Sequence, residues 1–120
     1  MNTHGAVASL RLGEKLVQQI FDDWRTAPIN NQLRSILGYL EKLTLHPGEV
    51  GREDITLLRA AGLSDEAIKE AAAVCTLFSI MNRLADAFGF QVPDDAAKKH
   101  SAKIISKIGY RAAGSKKPGK

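Results

Sequence analysis

The chain has 120 residues, 44% of them hydrophobic and 25% charged, which fits one ordinary globular domain and excludes a two-domain cleft enzyme, a disordered chain and a fibrous repeat. Its net charge of +4 is uneven: eight basic residues follow Asp95, the last acidic one, so the body carries −4 and the final stretch +8. A single cysteine, Cys75, excludes an internal disulfide, and Met1 to Ala8 has neither a basic n-region nor an apolar h-region, so a reducing, cytoplasmic compartment is expected.

The spacing of Leu12, Leu16, Val17, Ile20, Phe21 and Trp24 predicts a first helix over Val7 to Trp24, with Gly13 a candidate break near its start. Pro28 stops it, and Asn30 or Asn31 can cap a second helix at about 31–45, where Leu33, Ile36, Leu37, Leu40 and Leu43 form one stripe. His46-Pro47-Gly48 punctuates its end. A short helix from Arg52 to Ala61 buries Ile55, Leu58 and Ala61, and Gly62 supplies the left-handed residue that ends it. Ser64 opens the longest helix, with Asp65 and Glu66 in its first turn, and the run continues through Phe88 to Gly89.

From Ala71 to Met81 that helix is apolar almost all round, the pattern of a core helix enclosed by its neighbours, and the stretch is shorter than the roughly 20 residues that span a bilayer. After Gln91-Val92-Pro93, a last helix is predicted over Asp94 to Ala112, with Ile104, Ile105 and Ile108 on one edge and Lys99, Lys103, Lys107 and Arg111 in a basic row. No strand pattern of period two occurs. The expected fold is all-α, about five helices in one domain over 1–112, followed by a disordered basic tail over 113–120.

Chemistry is sparse. No phosphate-cradling glycine loop is present, and His4, His46 and His100 are too scattered to read as a metal site, so neither a cofactor nor a metal is expected. Cys75 has no basic residue within four positions and reads as a small buried hydrophobe, not an activated thiolate. Glu70, Asn82, Arg83 and Asp86 decorate the long helix; ion pairing or solvation accounts for them, and a cleft lined by Asn82, Arg83 and Asp86 is the sharper alternative. For the basic row, a solvated face or a subunit contact is favoured over nucleic acid, because no aromatic residue interleaves the lysines.

Four segments carry a resemblance. Trp24-Arg25-Thr26-Ala27-Pro28, Ile36-Leu37-Gly38-Tyr39-Leu40-Glu41-Lys42-Leu43-Thr44, the run Leu58 to Ile68 and Met81-Asn82-Arg83-Leu84-Ala85-Asp86-Ala87-Phe88-Gly89 resemble the C-terminal portion of the peroxidase-related branch of the alkylhydroperoxidase D-like superfamily, the group that includes carboxymuconolactone decarboxylase. The resemblance covers about residues 4 to 92. It implies an all-α, oligomeric antioxidant protein without haem or metal, in which a Cys-x-x-Cys-x-x-x-His helix reduces peroxide with a dithiol reductant as partner, or a related lactone decarboxylation takes its place. Two thiols one turn apart let the second intercept the sulfenic acid of the first.

This chain lacks that pair. His4-Gly5-Ala6 resembles the segment that follows the family's cysteines, and counting back four positions puts the second cysteine immediately before Met1. The resemblance thus implies a chain that begins just after its catalytic cysteines, with His4 the catalytic histidine. The alternative is a helical scaffold that keeps only the oligomerising half, or an interaction module using the basic last helix. Cys75 and its neighbours sit at the motif's spacing, but Phe78 and Asn82 replace the second cysteine and the histidine, the signature of a non-catalytic counterpart helix.

Overall fold

The computed structural model describes residues 3–91 and 94–109, which hold six α-helices, one 3-10 turn and no strand. They are α1 (Thr3–Leu12), α2 (Glu14–Asp23), α3 (Asn31–Leu45), α4 (Arg52–Ala60), α5 (Asp65–Phe88) and α6 (Asp95–Ile108), with the turn Pro47–Glu49 between α3 and α4. The fold is all-α. The helix expected over Val7 to Trp24 is two helices, because Gly13 adopts φ +90°, a left-handed backbone that an α-helix cannot continue through. The last helix ends at Ile108, where Gly109 turns to φ +72°; the expected continuation to Ala112 and the tail lie outside the described residues.

The described residues group into two compact units, one of Ile29–Phe90 and one drawn from Met1–Pro28 with Gln91–Lys120. In the second of these, α1 packs against both α2 and α6. Among its described residues the buried positions are mostly small, Gly5, Ala27 and Ala102 beside Val17, which lets helix backbones approach closely. Asp94 caps α6: its Oδ1 accepts the Ala97 N–H at 2.8 Å.

In the Ile29–Phe90 unit, local chemistry sets each boundary. Asn30 Oδ1 accepts the Leu33 N–H at 2.8 Å, which makes Asn30 the cap of α3, and Ser64 Oγ accepts the Ala67 N–H at 3.1 Å at the start of α5. At the other end of α5, Gly89 takes φ +64° and the Phe90 N–H reaches back to the Ala85 carbonyl at 3.0 Å, closing the helix with a left-handed cap. α3, α4 and α5 meet around Ile36, Leu58 and Ile68, with Tyr39, Leu40, Ile55, Leu63 and Ala71 packed on them. Each of the three buried side chains contributes about 1.5–3 kcal/mol. Three polar links fasten the helices. Lys42 Nζ sits 2.8 Å from Asp54 Oδ1, Arg59 pairs bidentately with Asp65 at 2.6 and 3.0 Å, and Gln32 Nε2 donates to the Gly62 carbonyl at 3.1 Å.

One expectation is corrected here. The stretch Ala71 to Met81 is not enclosed: Val74, Leu77, Ile80 and Met81 are each more than half exposed, and only one side of α5 packs inward. The reason is length. α5 is 24 residues, against 15 for α3 and nine for α4, so at about 1.5 Å per residue it outruns the helices that flank it.

Candidate functional site

α5 has two faces that its sequence keeps apart. Ile68, Ala71, Cys75 and Phe78 recur every three or four residues and are buried or half-buried on the inward side. Val74, Leu77, Met81, Leu84 and Phe88 repeat with the alternating three and four spacing of a helix–helix seam, and all five are exposed. Ile80, Ala73 and Ala87 widen that outward stripe, and Phe90, whose ring stacks on Phe88 at 6.0 Å between centroids, extends it past the helix end. The seven large residues of this face are 44% to 70% exposed. Glu66 and Glu70 border it at its N-terminal end, and Arg83 and Asp86 lie round the helix, away from the stripe. Among the described residues α5 is also the one helix long and apolar enough to cross a bilayer by length and composition.

The residues singled out in the sequence are divided between the two units. His4 is exposed on α1, in one unit, and Cys75 lies in α5, in the other. Cys75 is half-buried and not enclosed; its Sγ lies 3.4 Å from Thr44 Oγ1 of α3, a hydrogen bond in which either group can donate. Asn82, Arg83 and Asp86 are all exposed, and the Arg83 guanidinium turns back to donate to the Ser79 carbonyl at 3.2 Å. Eleven residues separate Cys75 from Asp86, about 16 Å of helix, whereas Asn82, Arg83 and Asp86 lie within about 6 Å of helix rise. Glu70 is exposed near the other end of the same helix.

Sequence reasoning missed two polar links of the Ile29–Phe90 unit. Asp54 accepts from Lys42 Nζ and, at 2.8 Å, from the Gly51 N–H; the Lys42 hydrogen bond is the chief reason its carboxyl is held below the usual carboxylate range. Arg59 does the same for Asp65. A last-turn lysine in α3 and a first-turn aspartate in α4 were the available signal, yet only the packing of the two helices pairs them. In the other unit, Lys99 and Lys103 of the basic row line a shallow apolar depression of about 220 Å³ with Ala6, Leu10, Glu14 and Ala102. Among the described residues, no group of three or more His, Cys, Asp or Glu side chains is placed to hold a metal ion.

No family model matches the sequence, and no curated protein matches it.

Proposed function

We propose that this chain is a helical assembly module of alkylhydroperoxidase-like type: a scaffold that presents the outward face of α5 to another α-helix and reduces no peroxide unaided. The observation that carries this is the exposed three-and-four stripe from Val74 to Phe88. Large apolar side chains are exposed elsewhere too, Leu10, Phe21 and Leu45 among them, but on α5 they line up along one helix face, and a contiguous apolar patch of that extent marks an interface. The resemblance supports the reading from the sequence side, since it pairs a non-catalytic counterpart helix with an oligomeric fold. A reducing compartment such as the cytoplasm suits its lone, half-buried thiol.

Dithiol peroxide reduction needs an attacking thiolate and a second thiol within one helical turn. Cys75 is the only cysteine in the sequence, with Phe78 one turn on, so a dithiol reductant finds no redox pair to recycle. The test is consumption of hydrogen peroxide by the chain with dithiothreitol as reductant. The expected rate equals that of the reagents alone. Turnover that disappears in Cys75→Ser overturns the scaffold reading and makes Cys75 catalytic.

A second reading uses α6, whose Lys99, Lys103 and Lys107 are all exposed at four-residue intervals. Three such charges attract a polyanion without selecting one. Salt-dependent retention on heparin, lost when all three become glutamine, supports a polyanion-binding face; flow-through independent of salt removes it.

A further inference from the structure

We infer that the outward face of α5 is covered by the same face of a second copy of this chain, the two helices running antiparallel. This inference rests on the assembly reading and names its partner.

Three observations lead there. The first is area: counting a fully exposed large side chain at roughly 200 Å², the exposures of Val74, Leu77, Ile80, Met81, Leu84, Phe88 and Phe90 amount to roughly 800 Å². Complete cover of that face would reach the roughly 800 Å² per partner of a standard-size interface. The second is spacing. Alternation of three and four is what a helix needs to keep its seam on another helix over several turns, and a flat or irregular partner does not require it.

The third is charge and size along the stripe. In a parallel pair, Glu66 and Glu70 of one copy face Glu66 and Glu70 of the other, a like-charge contact. In an antiparallel pair centred between Met81 and Leu84, both glutamates fall outside the overlap. Leu77 then meets Phe88 of the second copy, Met81 meets Leu84, and the large Ile80 meets the small Ala87. At that last pair a large side chain lies beside a small one, which favours interdigitated packing.

A bilayer is the rival occupant, because α5 has the length and composition to enter one. The rest of the helix argues against it. Arg83 and Asp86 sit on the same helix, and charged side chains in a bilayer are costly, while Ile68 and Ala71 are already committed to α3 and α4.

The experiment is sedimentation equilibrium of the full chain across the micromolar range, with circular dichroism on each variant. The wild type is expected at twice the 13.0 kDa chain mass. Leu77→Glu and Leu84→Glu are expected at the single-chain mass, and Leu57→Glu, on the exposed side of α4, at the double mass. Orientation is read by oxidative cross-linking in a Cys75→Ser background. A mixture of Leu77→Cys and Phe88→Cys chains is expected to cross-link between the two, and Leu77→Cys alone is not, since its two thiols lie about 16 Å apart along an antiparallel pair. Self-cross-linking of Leu77→Cys overturns the antiparallel arrangement.

A wild type that stays monomeric overturns the second copy, and one that co-sediments with phosphatidylcholine vesicles hands the face to a bilayer and overturns it as well. Binding of the dye anilinonaphthalene sulfonate distinguishes loss of the second copy from loss of the apolar face itself. A monomer that binds the dye until Leu77→Glu is introduced keeps the assembly face with another occupant, and a monomer that binds none removes the assembly reading too.

Discussion

Gly62 is the position where one methyl group tests the most of this fold. It sits at φ +91° in the turn between α4 and α5, where the Leu63 N–H reaches back to the Leu58 carbonyl at 3.1 Å. A left-handed backbone costs an alanine about 1–2 kcal/mol. The new Cβ would also stand 2.8 Å from Gln32 Nε2, the atom that donates to the Gly62 carbonyl. The amide is the free end of a flexible side chain and can retreat, but it then gives up a hydrogen bond with a net value of about 0.5–1.5 kcal/mol. Against these, alanine restricts the unfolded chain, which returns about 0.4–1 kcal/mol.

The balance is a loss of about 2 kcal/mol for Gly62→Ala. A unit the size of Ile29–Phe90 has a total stability of about 3–9 kcal/mol, so its thermal midpoint should fall by roughly 10 °C. Urea and thermal unfolding followed by far-ultraviolet circular dichroism measure this. A Gln32→Ala background isolates the two parts, because there the glycine substitution loses only its backbone share, about 1 kcal/mol net. A neutral or stabilising Gly62→Ala refutes the left-handed turn, and an equal loss in both backgrounds refutes the Gln32 contact.

Other outcomes follow from the same packing. Leu58→Ala, at a side chain 3% exposed, should lower the unfolding free energy by about 2–5 kcal/mol, whereas the adjacent Leu57→Ala, 69% exposed, should change it by less than about 0.5 kcal/mol; equal effects would place α4 in the wrong rotation. The carboxyls of Asp54 and Asp65 are held below their usual range by Lys42 and Arg59, so their contribution is complete above about pH 4 and fades as pH falls through their folded-state values. Denaturation midpoints against pH should therefore decline on acidification less steeply in Asp54→Asn than in the wild type, and an unchanged slope would remove the Lys42 pair from the account. Replacing Lys99, Lys103 and Lys107 together with glutamine should leave the sedimenting mass unchanged, since the self-association surface is on α5; a shift to monomer would move it to α6.

Local chemistry was legible and enclosure was not. The bounds of α3 and α5 could be read because Asn30, Ser64 and Gly89 cap the helices with their own atoms, within a few residues of the ends they define. Gly109 was there to be read as well, but the basic period running on to Arg111 masked it as a stop. Burial of Ala71 to Met81 failed for a different reason. An all-round apolar helix states that it will be covered, and the sequence has no way of stating whether the cover belongs to the same chain. The same limit applies to the site. Cys75, Asn82 and Asp86 could be ranked by residue type and set along one helix, yet how far each is exposed is a three-dimensional fact, as is the pairing of Lys42 with Asp54 twelve residues away.

The far end of α5 carries one more consequence. From Ile80 to Phe88 the only position not exposed is Ala85, so the last two and a half turns have almost nothing of their own unit to rest on. Isolated helices shorter than about 12–15 residues are marginal in water, because few hydrogen bonds offset a costly nucleus. This segment is continuous with a packed helix, which supplies the nucleus, and it ends in a left-handed glycine cap, but the apolar stripe it displays gives it no reason to stay ordered alone. Contact with a second copy would supply that reason. Amide hydrogen exchange at residues 80–88 should accordingly slow several-fold as the protein is concentrated from the monomeric into the dimeric range, while exchange at 66–72, over the Ile36–Leu58–Ile68 core, stays constant. Protection of 80–88 that is high and independent of concentration would mean that the chain stabilises this segment by itself, and the case for α5 as an assembly face would lose its energetic basis.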